Sequence, residues 1–321
     1  MTSYAYHRPT SLADALTALG EPHTRAIGGG TDLLVCIEEG LVRPDRVVDV
    51  RDLPGARDIT LREDGSARVG AGVRLASVAS HEGLRTHFPL LVRAAASVGS
   101  PALRNMGTLG GNLGQRPRCW YFRRGVACFK NGGDGCAAYA GEHEYHGIVA
   151  GGSCHAVHPS DPAVALEVLD ARVEVAGPGG STRSVPIVAL YEGAAANPHG
   201  ELTLAPGELI TALELPAGAS GGAQHWEKII QRGAWDFALV SCAAARRADG
   251  QVRMALGGVG LAPWRIALSV EEDVASGGLD ADSIDALAER AMYDAEPLER
   301  NGYKVTIARA ALRRAMRALQ E

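Results

Sequence analysis

The sequence predicts an α+β protein, and three observations carry that expectation. Short strand-like and helix-like stretches alternate in the opening block, up to about residue 55. Beyond residue 222, "EKIIQR", "DFALVSCAAARR" and "QVRMALGGVG" follow one another as strand-length segments of an antiparallel sheet. The chain then ends in two amphipathic helices, around Ile284–Ala291 and Val305–Leu319.

"TSLADALTALG" predicts a short helix, capped by Ser11, with Leu12, Ala15, Leu16 and Leu19 as its apolar stripe and Gly20 as its end. "TRAIGGGTDLLV" reads as strand, glycine turn and apolar segment, and "DRVVDV" as a buried strand. "ARVGAGVRLASVA" has strand and turn character, and "HFPLLVRAAASVG" reads as a helix. "TLGGNLG" is a second glycine loop. "DPAVALEVLDARVEVAG" is expected to form a helix of about two turns running into a strand. "GELITALELP" reads as an edge strand closed by Pro216. "GASGG", Gly218 to Gly222, is the best linker candidate. In the last helix Ala308, Leu312, Ala315 and Leu319 share one face, and Arg309, Arg313 and Arg317 another, a basic face read as solvated surface rather than a docking site.

The 321 residues are 46% hydrophobic, enough for a substantial core, and the net charge of −5 gives no overall footprint for nucleic acid. No apolar run is long enough to span a bilayer, and "MTSYAYHRPTSLADAL" has no signal-peptide core. The expectation is a cytoplasmic chain, where structural disulfides are rare.

Forty glycines cluster in short runs, among them Gly28–Gly30, Gly110–Gly111, Gly132–Gly133 and Gly151–Gly152. In "AIGGGTDLLV" consecutive N–H groups can face an anion without a side chain in the way, with Thr31 as a further donor. Neither a P-loop nor a G-x-G-x-x-G fingerprint is present, because no Gly-Lys-Ser/Thr follows and position 33 is Leu33. From pattern alone, a tight turn and a phosphate site are equally open. "GTLGGNLG", with Thr108 and Asn112, is a second loop of the same kind, and a pyrophosphate commonly draws donors from more than one segment.

Four of the six cysteines, Cys119, Cys128, Cys136 and Cys154, lie in one glycine-rich stretch, with 8, 7 and 17 residues between them. No C-x-x-C spacing occurs, so the usual structural-zinc pattern is missing. Disulfides, unrelated buried thiols, zinc and an iron–sulfur cluster all remain open. Gln115 to Gly133 carries Arg116, Arg118, Arg123, Arg124 and Lys130 and no acid, a setting that favours thiolates. Glycines in "NGGDGC" and "AGGSC" offer N–H donors to sulfur, which suits a [4Fe–4S] cluster better than zinc. Cys36 and Cys242 sit in apolar segments as core thiols, and His155 and His158 read as structural or hydrogen-bonding rather than ligating.

"AIGGGTDLL", "GAGV", "MGTLGGN", "HPSD" and "EKIIQRGAWDFALVSCA" together resemble the FAD-binding medium subunit of molybdenum hydroxylases, over nearly the whole chain. The cysteine stretch resembles the insertion found in two branches, the bacterial aldehyde oxidoreductases and the 4-hydroxybenzoyl-CoA reductases, with wording nearer the first. The resemblance implies an FAD-binding domain of PCMH type with two α/β subdomains, 1–55 and 56–217. A cluster insertion falls at about 115–157, and a C-terminal domain of antiparallel sheet plus helices at 223–321. It implies that Ile27, Gly28, Gly29, Gly30, Thr31, Asp32, Leu33 and Leu34 wrap the FAD pyrophosphate, and that Thr108, Gly111 and Asn112 complete the phosphate and ribityl side. Asp161 would contact ribityl or ribose hydroxyls, or cap the helix at Pro162, and Lys228 would approach the pyrimidine edge of the flavin. Cys119, Cys128, Cys136 and Cys154 would hold a [4Fe–4S] cluster, either an electron relay or a brace for its loop.

The implied function is an oxidoreductase component with no catalytic residue of its own. It would pass electrons from [2Fe–2S] clusters of a small subunit to FAD and on to an external acceptor, while a large subunit with the molybdenum cofactor oxidises the substrate. A signal-bearing partner would permit a periplasmic location. The rival readings are a 4-hydroxybenzoyl-CoA reductase or xanthine dehydrogenase-type medium subunit, a stand-alone FAD oxidase akin to vanillyl-alcohol oxidase, and a zinc-stabilised binding protein.

Overall fold

The computed structural model describes residues 3–149, 152–193, 197–219 and 221–321. Three sheets follow one another along the chain. In the first, β1 (Ala5–His7), β2 (Thr24–Ile27) and β3 (Arg46–Asp49) are parallel, in the order β1-β3-β2. The helix Leu12–Leu19 connects β1 to β2. Ser11 caps it by accepting from the Asp14 N–H, and Ala15, Leu16, Ala18 and Leu19 are buried. The apolar segment after the glycines forms a one-and-a-half-turn helix, Leu33–Glu38.

The second sheet is antiparallel: β4 (Ile59–Leu61), β5 (Ala67–Gly70), β6 (Arg172–Ala176), β7 (Thr182–Pro186) and β8 (Leu209–Leu215), ordered β4-β5-β8-β6-β7. The expected edge strand, β8, is therefore central, pairing β5 on one side and β6 on the other. Pro216 stands one residue beyond the strand, so it removes no ladder hydrogen bond. Two further expectations need correction. "RLASVAS" is a helix, Leu75–Ser80, rather than strand and turn. "TLGGNLG" is a short helix, Leu109–Leu113, capped by the Thr108 side chain.

The third sheet, β9 (Gln224–Ile229), β10 (Val240–Arg246), β11 (Val252–Gly257) and β12 (Trp264–Arg265), is antiparallel in the order β12-β11-β10-β9. Its central strand β10 is buried on both faces. Ala243 and Ala245 join the core built on helices Pro89–Ala96 and Asp161–Val168, and Cys242 and Ala244 face the C-terminal helices. Double burial explains why "SCAAA" shows no polar alternation. The helix Asp161–Val168 is buried along its whole length, between the second and third sheets. Of the linker candidate, Gly218, Gly221 and Gly222 are exposed but Ala219 is buried in that core, and Ser220 lies outside the described residues.

The final helix, Tyr303–Ala318, buries Ala308, Leu312 and Ala315, with Leu319 just beyond it. Three of its four arginines are ion-paired: Arg309 with Glu289, Arg313 with Asp285, and Arg314 with Glu227. Lys304 on the same helix is fully buried and donates to the carbonyls of Tyr145, His146 and Gly258, fastening the helix to the end of the cysteine stretch. Among the described residues no helix is long and apolar enough to cross a membrane.

Candidate functional site

A cavity of about 920 Å³ opens between the first and second sheets. Gly28 to Leu33 lie on its wall, together with Thr108, Gly110 and Gly111. This volume is at the upper end of what small-molecule and cofactor sites occupy. The two glycine segments are packed against each other. A Cβ on Gly29 would sit 1.9 Å from the Met106 carbonyl oxygen, and one on Gly28 would sit 2.5 Å from Thr108 Oγ1. Gly110 is equally constrained, its Cβ position lying 2.7 Å from the Ala71 methyl. Only Gly30 of the first triplet has positive φ, at 74°.

The two segments differ in what they leave free. Among the described residues, no backbone carbonyl accepts from the N–H groups of Gly29, Gly30 or Thr31. In the second segment Leu109 N–H donates to Val73, Gly110 to Ala71, Asn112 to the Thr108 carbonyl, and Gly111 to Thr108 Oγ1. Thr108 is buried and acts as a helix cap. The Asn112 side chain accepts from Ser160 Oγ at 2.6 Å. Behind it the Leu113 carbonyl receives both His158 Nε2 and the Tyr191 hydroxyl. Burial drives His158 down to about 3, so it is neutral, with Nδ1 accepting from the Ser160 N–H. This is the structural role expected of it.

Asp32 belongs to the first loop, but its carboxylate turns toward the cysteine stretch. Oδ1 lies 2.6 Å from Arg118 Nη1 and 2.8 Å from Arg123 Nη2, and Oδ2 accepts from the Arg116 N–H at 2.8 Å. Burial alone would raise this carboxyl; Arg118 and Arg123 outweigh it and hold it below the usual carboxylate range. Lys228 and Asp161 meet as a buried ion pair at 2.7 Å, and Lys228 also donates to the Ser97 carbonyl. Burial pushes Asp161 up to about 6 despite the lysine. The cap of this helix is Ser160, which accepts from the Ala163 N–H, and Asp161 is its first helical residue. Neither Lys228 nor Asp161 lines the main cavity. Leu34 is exposed and touches the Gly30 position, whereas Ile27 is buried.

The profile of the FAD-binding domain in molybdopterin dehydrogenase matches residues 2–218. The chain is 38% identical to the aldehyde oxidoreductase FAD-binding subunit PaoB of Escherichia coli (strain K12), over 97% of this chain and 96% of that one. It belongs to the FAD-binding subunits of molybdenum hydroxylases. A putative xanthine dehydrogenase FAD-binding subunit, XdhB, of the same organism is 27% identical over 91% of this chain and 86% of its own. The fold matches that of carbon monoxide dehydrogenase from Hydrogenophaga pseudoflava, with a TM-score of 0.75, 24% identity and coverage of 98% of this chain and 96% of that one.

The cavity and its interlocked glycines fit the FAD that this flavin subunit's family binds: the crowded glycines leave backbone N–H groups at the wall, and only the first loop has them unspent. Sequence reasoning missed Arg51, Arg68 and Glu201, which also line it. They are isolated residues in unrelated segments, and nothing local marks them.

The cysteine stretch of the flavin subunit folds as one lobe. Cys119, Cys128, Cys136 and Cys154 line a single small cavity with Phe129 and Ala156, and none is in a disulfide. Among the described residues, no three His, Cys, Asp or Glu side chains converge closely enough to hold a single metal ion. Burial raises the Cys119 thiol to about 11 and raises Cys154 as well. The expected thiolate-favouring arginines are engaged elsewhere: Arg116 forks onto Glu201, and Arg118 and Arg123 onto Asp32. His146 Nε2 approaches Cys119 Sγ at 3.2 Å. Of "AGGSC", Ala150 and Gly151 lie outside the described residues. Cys242 is a core thiol as expected, whereas Cys36, though buried, lines the main cavity and accepts from Arg123.

Proposed function

We propose that this chain is the electron-transfer subunit of a molybdenum-containing aldehyde oxidoreductase. It works beside a large subunit holding the molybdenum cofactor and a small [2Fe–2S] subunit, and delivers electrons to an external acceptor. The observation that carries this reading is the pair of interlocked glycine segments on one cavity wall, together with similarity to an aldehyde oxidoreductase subunit along almost the full length of both chains. FAD supplies a centre that takes and gives electrons singly or in pairs. The chain's part is to hold it: the free N–H groups of Gly29, Gly30 and Thr31 receive the pyrophosphate, and Ile27, Gly28, Leu33 and Leu34 shape that turn. Thr108 and Gly111 form the fixed part of the same wall, and Asn112 braces it from behind through Ser160. Lys228 and Asp161, paired with each other off the cavity wall, take the part at the flavin ring that the family resemblance implies only if the bound cofactor reaches beyond that wall.

The second part of the proposal is a [4Fe–4S] cluster on Cys119, Cys128, Cys136 and Cys154. Support comes from four unpaired thiols around one cavity with apolar walls. Burial holds two of them protonated, and a cationic centre would reverse that, because coordinated thiols are deprotonated outright. A cubane also spreads its ligands more widely than a single ion does.

The test is the absorption spectrum and metal content of the complex purified with its partners, beside a Cys128→Ser, Cys136→Ser variant. Flavin bands near ~370 and ~450 nm are expected from the cofactor class. The variant should lose about four irons per chain. Zinc in place of iron removes the cluster and leaves the flavin reading intact; a complex without flavin ends the reading altogether.

A further inference from the structure

Asp32 joins two parts of the chain, the first glycine loop and the cysteine stretch. Its backbone belongs to the loop on the cavity wall, and its carboxylate is only 14% exposed, facing away into the lobe that carries the cysteines. Both carboxylate oxygens are taken, by Arg118, Arg123 and the Arg116 N–H. Arg123 reaches further into the same loop helix, donating to Cys36 Sγ at 3.0 Å. The arginines are themselves fixed, Arg123 to the Pro117 and Arg116 carbonyls and Arg118 to the Arg116 carbonyl. Arg118 and Arg123 do not line the cavity.

A carboxylate is a poor neighbour for a pyrophosphate, and Asp32 has no oxygen left over for a ribose hydroxyl. We propose that Asp32 is a positioning residue: through Arg118 and Arg123 it ties the flavin-binding loop to the cysteine lobe, so that order in either is order in both. The proposal rests on the flavin reading and replaces a direct flavin contact for Asp32 with an indirect one. It does not depend on what the cysteines bind. Because the pairs are charge-assisted and partly buried, cutting the tie releases a loop whose free N–H groups must be aligned to be useful.

The experiment measures FAD affinity in the complex stripped of flavin and titrated with FAD, for Asp32→Asn, for Arg118→Gln/Arg123→Gln, and for all three changes together. Each of the first two should raise Kd about tenfold, in line with the loss of one charge-assisted interaction. The triple variant should be no worse than either, because one interaction is being removed, not two. Asp32→Glu, which keeps the carboxylate within reach of the guanidiniums, should recover most of the affinity. An unchanged or tighter Kd in Asp32→Asn, or effects that multiply in the triple variant, would overturn the proposal. Should the variants fail to fold, hydrogen exchange on the wild-type complex decides it. Amides of Trp120–Arg123, none of which lines the cavity, should exchange more slowly with FAD than without; no change there rejects the tie. Failure of the wild-type complex to bind FAD at all is a different result, and it strikes the flavin reading itself.

Discussion

The two glycine segments look alike in sequence and behave oppositely in structure. "IGGGTD" keeps the N–H groups of Gly29, Gly30 and Thr31 unspent at the cavity wall, whereas "TLGGNL" closes into a capped helix and spends its own on Thr108 and on the Ala71 and Val73 carbonyls. The first, the proposed receptor, is held at its edges, by Asp32 and by contact with Met106. The second is a fixed wall, held from behind by Thr108, His158, Tyr191 and Ser160. Glycine in the first leaves donors bare, and glycine in the second lets a helix pack flush on Ala71. Composition does not distinguish these uses; hydrogen-bond accounting does.

The largest expected effect tests the fixed wall by pH. His158 is neutral when folded, with its value lowered to about 3 from an ordinary 6.5. A depressed folded value contributes stability that is present above about pH 6.5 and lost as pH falls toward 3. The loss is on the order of 4 kcal/mol across that window at 1.36 kcal/mol per unit. Urea denaturation between pH 7 and pH 4 should show it, and His158→Gln should flatten the slope while lowering stability at pH 7. An unaltered slope in that variant removes His158 from the account of the wall.

Next in size is Gly29→Ala. The new methyl meets the Met106 carbonyl, a backbone atom that cannot swing aside, so the two segments must part. A cost of about 3 kcal/mol is expected for such overpacking. Flavin-to-protein ratio and Tm should fall together, and a variant that keeps its flavin would show that the close approach is not needed for binding. The smallest effect is Thr108→Val, which removes a helix cap worth about 1 kcal/mol. Here Tm should drop while flavin content holds. Loss of flavin with little change in Tm would mean that the hydroxyl contacts the cofactor, as the family resemblance implies.

Legibility in the sequence followed the range of the interactions involved. The helix after Ser11 was readable because its cap and stripe lie within ten residues of one another. The third sheet and last helix were readable because their apolar patterns are long, although β12 and the helix Leu268–Ser276 went unseen. The Thr108 helix was not readable, since two glycines in five residues argue against a helix and only packing on Ala71 and Leu113's partners overrides that. The glycine triplet pointed to the cavity, but Asp32's true partners are 86 and 91 residues away in sequence, beyond any local pattern. Of the cations near the cysteines, Arg116, Arg118 and Arg123 pair with Glu201 and Asp32 from other segments, which only the fold reveals, while Lys130 lines the cysteine cavity.

The order of strands in the second sheet has a consequence for synthesis. β8 sits between β5 and β6, yet it is the last of the sheet's five strands to leave the ribosome. Until Leu215 has emerged, β5 and β6 have no common neighbour, and the four clustered thiols have already been made. At about 5–20 residues per second, the interval between Cys119 and Leu215 is roughly 5–20 s. Throughout that time the lobe hangs from a sheet that lacks its middle, so any centre loaded onto those thiols meets them on a chain still open at its core.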